Sequence, residues 1–327
     1  MGPMERRHFL IATGVLLAAP RSTRAQEPGR TYRVGVLFGA GAEGLKLYRS
    51  ALSERLATHG FTLGENLRIE YRFSRGGYSF GEDPASELLA LKPDAVLTLL
   101  NQATQAAQTA TRTVPIIFVW VADPVATGLV QSYGHPGGNI TGATNRFFEL
   151  AAKRLDLARE LLPNLKRVAV PYVVSPNYER VELRKMAKQL GIGLTEFHLV
   201  APQNGIVEYA VSDGADVIIP FVQFTALGYT AHGEQLVRAA LEHRMPVIFA
   251  GREMVELGGL MSYGTNLVDD VRRGADMLAR VLKGEKPANL PVDQAARFEL
   301  AVNLKTAKAI GITIPQSILL RADRVIE

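Results

Sequence analysis

Two short stretches carry groups that could hold a small polar molecule. Asn101-Gln102-Ala103-Thr104 offers two amides and a hydroxyl, donors that suit a carboxylate. Trp120-Val121-Ala122-Asp123-Pro124 offers an indole and a carboxylate, which suit an apolar group beside an ammonium. Each follows an apolar run and opens a helical pattern. The plain alternative is capping, with Thr104 and Asp123 satisfying the first turn of a helix, and capping and ligand binding can coexist. Gly39-Ala40-Gly41-Ala42-Glu43-Gly44 is a literal G-x-G-x-x-G after a strand pattern, as a dinucleotide-binding loop requires. Glu70, at the end of the next strand, stands where a ribose-binding acid would sit. The same glycines would equally let any ligand approach the backbone. Gly77-Tyr78-Ser79-Phe80-Gly81 is a literal G-x-S-x-G, but a nucleophile elbow needs a helix directly behind the serine, and here the helix pattern starts only at Pro84. None of the six histidines is paired with an acid as a triad demands. H-E-x-x-H, clustered histidines and acid-rich calcium loops are missing from the sequence, so neither a metal nor another cofactor is expected.

These groups need elements to position them, and the pattern supplies alternating ones. Strands are predicted at 32–38, 66–73, 94–100, 114–120 and 137–144, with helices at 45–60, 84–93, 102–112 and 123–133 between them. Helix 123–133 takes Asp123 as cap and Pro124 at its first position. The unit then repeats in kind, with helices at 147–163, 178–192, 203–212, 234–244 and 267–284. Strands fall at 166–173, 193–200, 216–222, 245–251 and 258–264. Residues 285–327 add a strand at 298–303, a helix at 304–310 and a short helix after Pro315. Such alternation implies parallel sheets with right-handed crossovers. One sheet of that many strands would be large, so two doubly wound lobes are expected, with a crossing near 143–147. Phe38, Trp120, Tyr172, Phe221, Phe224 and Tyr263 all fall at or just after strand C-termini, where open α/β sheets gather ligands.

Composition bounds the partners. The chain has 327 residues, 47% hydrophobic and 21% charged, with no cysteine. Disulfides, thiolate metal sites and cysteine nucleophiles are therefore excluded. Residues 1–25 differ from the rest. Arg6-Arg7 precedes a short apolar core, and Thr23-Arg24-Ala25 places small residues at −3 and −1 of a cut before Gln26, the pattern of a secretory signal. The paired arginines also fit a twin-arginine signal, and both export routes stay open. Four of the 37 basic and one of the 32 acidic side chains lie in that segment, so net charge falls from +5 to +2 without it. No basic stripe interleaved with aromatics follows, so nucleic acid is not an expected partner.

Several runs together resemble one family. They are Arg6-Arg7-His8-Phe9-Leu10, GENLRIEYR at 64–72, VPIIFVWVADPVATGLV at 114–130, HPGGNITG at 135–142, and FELAVNLKTAKAIGITIPQSILLRADRVIE at 298–327. The chain resembles, over 5–327, the ABC-transporter substrate-binding proteins of type I periplasmic-binding fold whose members bind tryptophan, tyrosine or phenylalanine. The resemblance implies an α/β fold of two doubly wound parallel-sheet lobes joined by a three-segment hinge. It sets residues 31–144 plus 265–286 in one lobe and 145–264 plus 287–327 in the other. It further implies a periplasmic, monomeric, non-enzymatic protein that takes a small organic solute, an amino acid with aromatic ones among the candidates, and delivers it to an inner-membrane permease. Both literal motif matches then become coincidences. The alternatives are an exported nicotinamide-dependent oxidoreductase using the 39–44 loop, and a ligand-sensing partner of a membrane receptor.

The candidate ligand set joins strand-end position to that fold. Asn101, Gln102 and Thr104 are expected to hold a carboxylate, and Asp123 an ammonium or only its helix. Phe38, Trp120, Phe221 and Tyr263 would pack on an apolar part. Gly39, Asn145 and Asn177 would line the cleft, with Gln223 and Glu253 closing from the second lobe. Many members of the family carry Ala, Gly or Ser where Asn101-Gln102 and Trp120 stand here.

Overall fold

Aliphatic and β-branched runs set the architecture, because strands buried on both faces need nearly continuous apolar sequence. The computed structural model describes residues 29–39, 42–73, 83–172, 178–198, 205–221 and 231–327. The glycine-serine stretch at 77–81, Asn177 and Gln223 lie outside the described residues, as do Ala40 and Gly41 of the glycine loop.

The first sheet contains β1 (Tyr32–Phe38), β2 (Leu67–Phe73), β3 (Ala95–Leu99), β4 (Ile116–Val121), β5 (Ile140–Thr144) and a late two-residue strand, β11 (Asp293–Gln294). Its order is β11-β5-β4-β3-β1-β2, and every pairing is parallel. All residues of β3 and β4 are buried. Four helices flank it: α1 (Lys46–Thr58), α2 (Asp83–Ala90), α3 (Asn101–Ala110) and, from much later in the chain, α9 (Leu267–Leu282). In α9, Leu267, Val271, Ala275, Leu278 and Leu282 recur at helical spacing and are buried. Asn266 caps it, its Oδ1 accepting from Val268 N at 3.1 Å and Asp269 N at 3.2 Å. Gly274 lets α9 seat on β4: a Cβ there would fall 2.3 Å from Val119 Cγ2.

The second lobe holds β6 (Arg167–Tyr172), β7 (Gly193–His198), β8 (Val217–Ile218), β9 (Ile248–Phe249), β10 (Met261–Gly264), β12 (Glu299–Asn303) and β13 (Arg324–Ile326). They form β7-β6-β8 and β9-β10-β12-β13, and a parallel bridge from Ile218 to Val247 links the two groups. Only β10–β12 is antiparallel. Around them lie α4 (Phe147–Leu161), α5 (Tyr178–Leu190), α6 (Ile206–Ser212), α7 (Ala231–Glu242), the single turn α8 (Glu253–Glu256), α10 (Leu304–Ile310) and α11 (Gln316–Leu319). The lobes are thus both doubly wound, the fold class expected from the sequence.

Three differences from the expected elements matter. The helix anticipated over 123–133 is a turn. Asp123 Oδ1 accepts from Val125 N and Ala126 N, but Leu129 N and Val130 N both return to Pro124 O, and Gly128 takes a left-handed φ of 69°. A cap with proline behind it starts a turn as readily as a helix, and Gly128 ends it. Strands β8 and β9 are much shorter than the 216–222 and 245–251 runs. At its C-terminal end the chain stays on the first sheet through Gln294, beyond residue 286 where the last return was set.

Candidate functional site

Ignoring the late strands, both sheets run second, first, third, fourth, fifth, so the winding reverses between β1 and β3 and again between β6 and β8. Open parallel sheets bind ligands outside the strand C-termini at such a reversal. In the first lobe these ends present Phe38 and Gly39, Leu100 and Asn101, and Trp120. Two of them are strained: Leu100 has φ 78° and Trp120 φ 60°, left-handed conformations that side chains other than glycine rarely adopt. Each costs about 1–3 kcal/mol and persists where packing over-determines it, as at ligand sites.

The aromatic groups form a wall. Trp120 is 2% exposed and meets Tyr48 edge-on at 4.7 Å and Phe38 at 6.2 Å between centroids. The larger core cluster that holds this trio includes Ala250, just after β9, and Tyr263 and Phe298 pack against that cluster. Tyr263, half-buried, also borders the second lobe's own core and faces Phe298 at 6.2 Å. Phe221 is fully buried within that second core. Gly39 is buried at the end of β1.

Several polar candidates are already engaged. Asn101 Oδ1 accepts from Ala122 N at 3.3 Å, tying the two first-lobe loops together. The fully buried Thr104 hydroxyl donates to Leu100 O at 3.0 Å and lies 2.8 Å from Thr98 Oγ1. Its hydrogen-bonding capacity goes to the helix start. Asp123 Oδ1 serves its turn and also accepts from Tyr133 Oη at 3.3 Å. Burial and that carboxylate push the Tyr133 phenol up to about 12.

Other buried polar atoms lack hydrogen-bond partners among the described residues. They are Gln102 Oε1, Trp120 Nε1, Ser262 Oγ and Arg273 Nη1; the Asn145 amide and the Glu253 oxygens have no other partner than the Asp270 carboxylate beside Asn145 and the backbone N–H of Glu253 itself. Folded proteins leave few such atoms, since each forfeits hydrogen bonds to water. Here they fall at strand ends, at the first crossing or beside the wall. Glu253, at the start of α8, is 2% exposed, and burial pushes its carboxyl up to about 7; its own backbone N–H and then Arg252 pull the other way, while Glu256 and Asp270 add to the rise. The Asn145 amide lies beside the Asp270 carboxylate, whose charge Glu253 senses, so the three share one neighbourhood. Among the described residues no cluster of three or more His, Asp or Glu could hold a metal.

Sequence reading missed Tyr48, whose place in α1 is marked only by helical spacing. It also missed Arg154, which lies on α4, is fully buried and donates from Nη1 to Tyr263 O at 3.4 Å. Ser262 gave no signal beyond its place in a strand.

Known proteins resemble this chain over most of its length. The family model for ABC transporter substrate binding proteins matches residues 33–326. A tyrosine-binding protein of Clostridioides difficile is 26% identical over 269 residues, covering 79% of this chain and 74% of that protein. A conserved domain protein from Vibrio cholerae has a solved structure 28% identical, with TM-score 0.79 over 90% of this chain and all of that one. A Streptococcus pneumoniae ABC domain solved in complex with L-Trp is 26% identical, with TM-score 0.76 and the same coverage. The fold is that of the type I periplasmic-binding proteins.

Proposed function

As the chain belongs to the ABC transporter substrate binding protein family, we propose that it is the solute-binding component of an importer, taking an amino acid with an aromatic side chain between its lobes. The observation that carries this reading is the set of buried, under-bonded polar atoms beside an aromatic wall. A ligand bearing an ammonium, a carboxylate and a ring would answer the Glu253 oxygens, the amides of Gln102 and Asn145, and the faces of Trp120 and Tyr263. The relatives named for tyrosine and solved with L-Trp support the class. Asn101 and Thr104 hold the loop that presents Gln102, and Phe38 backs the wall.

On this reading closure of the lobes presents a surface to a membrane permease, and the protein binds without transforming its solute. It works as a monomer in the periplasm, brought there by the segment ending near Ala25. The described helices include none long and apolar enough to cross a membrane.

Calorimetric titration of the chain lacking residues 1–25 with L-tryptophan, L-tyrosine, L-phenylalanine and NADH tests the proposal. One-to-one binding of at least one amino acid at about micromolar Kd or tighter is expected, with no heat from NADH. Heat from NADH alone would overturn it, and silence toward all three amino acids would overturn the ligand class.

A further inference from the structure

Three chain segments pass between the lobes, and one side-chain pair touches all of them. Asp270 and Arg273 are a turn apart on α9. Arg273 Nη2 donates to Asp270 Oδ1 at 2.7 Å and to Thr144 O, at the start of the first crossing, at 3.3 Å. Its Nη1 lies 3.3 Å from Asp293 Oδ2, just before the third crossing. The other Asp270 oxygen accepts from Thr265 Oγ1, in the second crossing, at 2.6 Å. Asp270 and Thr265 are 2% and 3% exposed, and Asn145 stands beside the same carboxylate. The backbone ties the node further: Ala295 N donates to Thr144 O at 3.0 Å, and Asp293 pairs with Ala143.

We propose that the Asp270–Arg273 pair is the positioning unit of the hinge. It pins the three crossings to one point on the first lobe, so that they bend together and carry Asn145 with them. A planar guanidinium suits this task, since its fork bonds a carboxylate and a carbonyl in fixed directions while its other nitrogen pairs by charge with a second carboxylate, which an ammonium cannot do from fixed positions. Bending then falls just beyond the node. Arg146, with a left-handed φ of 53°, follows it in the first crossing, and residues 295–298 follow it in the third. The coupling to ligand affinity rests on the cleft reading above; the pinning itself does not.

The absence of cysteine permits a test that needs no ligand. Gln105→Cys on α3 and Lys188→Cys on α5, both at exposed positions of different lobes, carry a pair of spin labels. Pulsed dipolar spectroscopy then reads the interlobe distance distribution. Arg273→Gln is expected to broaden it at least about twofold, while Arg273→Lys recovers part of the width, with cooperative thermal unfolding kept in both. If Arg273→Gln does not fold, Asp270→Asn, which keeps the shape, is expected to broaden the distribution to a smaller degree. A distribution unchanged from the parent in the folded variant overturns the proposal. Titration with L-tyrosine and L-tryptophan in the same variants should show affinity lowered about 3- to 10-fold, as the binding-competent population falls. If the parent binds neither amino acid, the ligand reading fails while the distance test still decides the hinge.

Discussion

The strand ends of the two lobes are built differently. In the first lobe most polar side chains at the strand ends are already bonded: Asn101 to Ala122 N, Thr104 to Leu100 O and Thr98, and Asp123 within its own turn, while Gln102 Oε1 and Trp120 Nε1 stay open. Two left-handed backbone residues and an edge-packed aromatic trio fix the shape. The second lobe instead brings a carboxylate and a hydroxyl that are buried and hydrogen-bonded by no other described residue, Glu253 and Ser262. On the proposed reading, shape selection rests mainly on the first lobe, where Gln102 adds an open amide oxygen, and recognition of charge on the Glu253 carboxylate of the second.

Four substitutions would break or sharpen this contrast. The largest effect is expected at Trp120. Trp120→Ala removes a buried side chain from the wall and should cost about 3–5 kcal/mol in urea unfolding. A cost below about 1 kcal/mol would mean that the wall is not load-sharing with the core. Glu253→Gln comes next and should act in opposite directions on stability and binding. The folded chain raises this carboxyl from 4.5 to about 7, so the folded state prefers the protonated form. The stability linked to it is full below about pH 4.5 and is lost as pH rises through about 7. The glutamine variant should therefore match its parent near pH 4 and exceed it by up to about 3 kcal/mol near pH 8 in ligand-free unfolding. Affinity for an amino acid should fall with the loss of the anion. Parallel pH curves for parent and variant would show that Glu253 is not strained by its burial. The smallest effects come from a paired comparison. Thr104→Val should lower stability by about 1–2 kcal/mol and leave affinity unchanged, whereas Gln102→Ala should leave stability within about 0.5 kcal/mol and weaken binding about tenfold. The reverse pattern would exchange their roles.

Much of the scaffold could be read from residue order. Strand β4 is a continuous apolar run, β3 is apolar but for Thr98, and α9 repeats apolar residues behind an Asn cap, so local chemistry and tertiary packing agree. The turn at 124–128 could not be read, because Asp-Pro is the same opening signal for a turn and a helix. Two-residue strands such as β11 exist only through a partner distant in sequence. The site was harder still. Position at a strand end marked Trp120 and Glu253 as candidates, but it could not tell Thr104, whose hydroxyl is already bonded, from Gln102, whose oxygen is not. The buried Arg154 and the hinge cation Arg273 looked like ordinary charged faces of amphipathic helices, since periodicity assigns charge to solvent.

Trp120 has one more consequence. It is the only tryptophan of the chain, and it is held dry, with its Nε1 unbonded and a tyrosine ring against it. The protein therefore contains its own optical gauge. Its emission should lie toward the blue, fed by energy transfer from Tyr48, and should move red when water or a polar ligand atom reaches the indole nitrogen. The colour of that indole reports how dry the first lobe's core stays around it, without any added label.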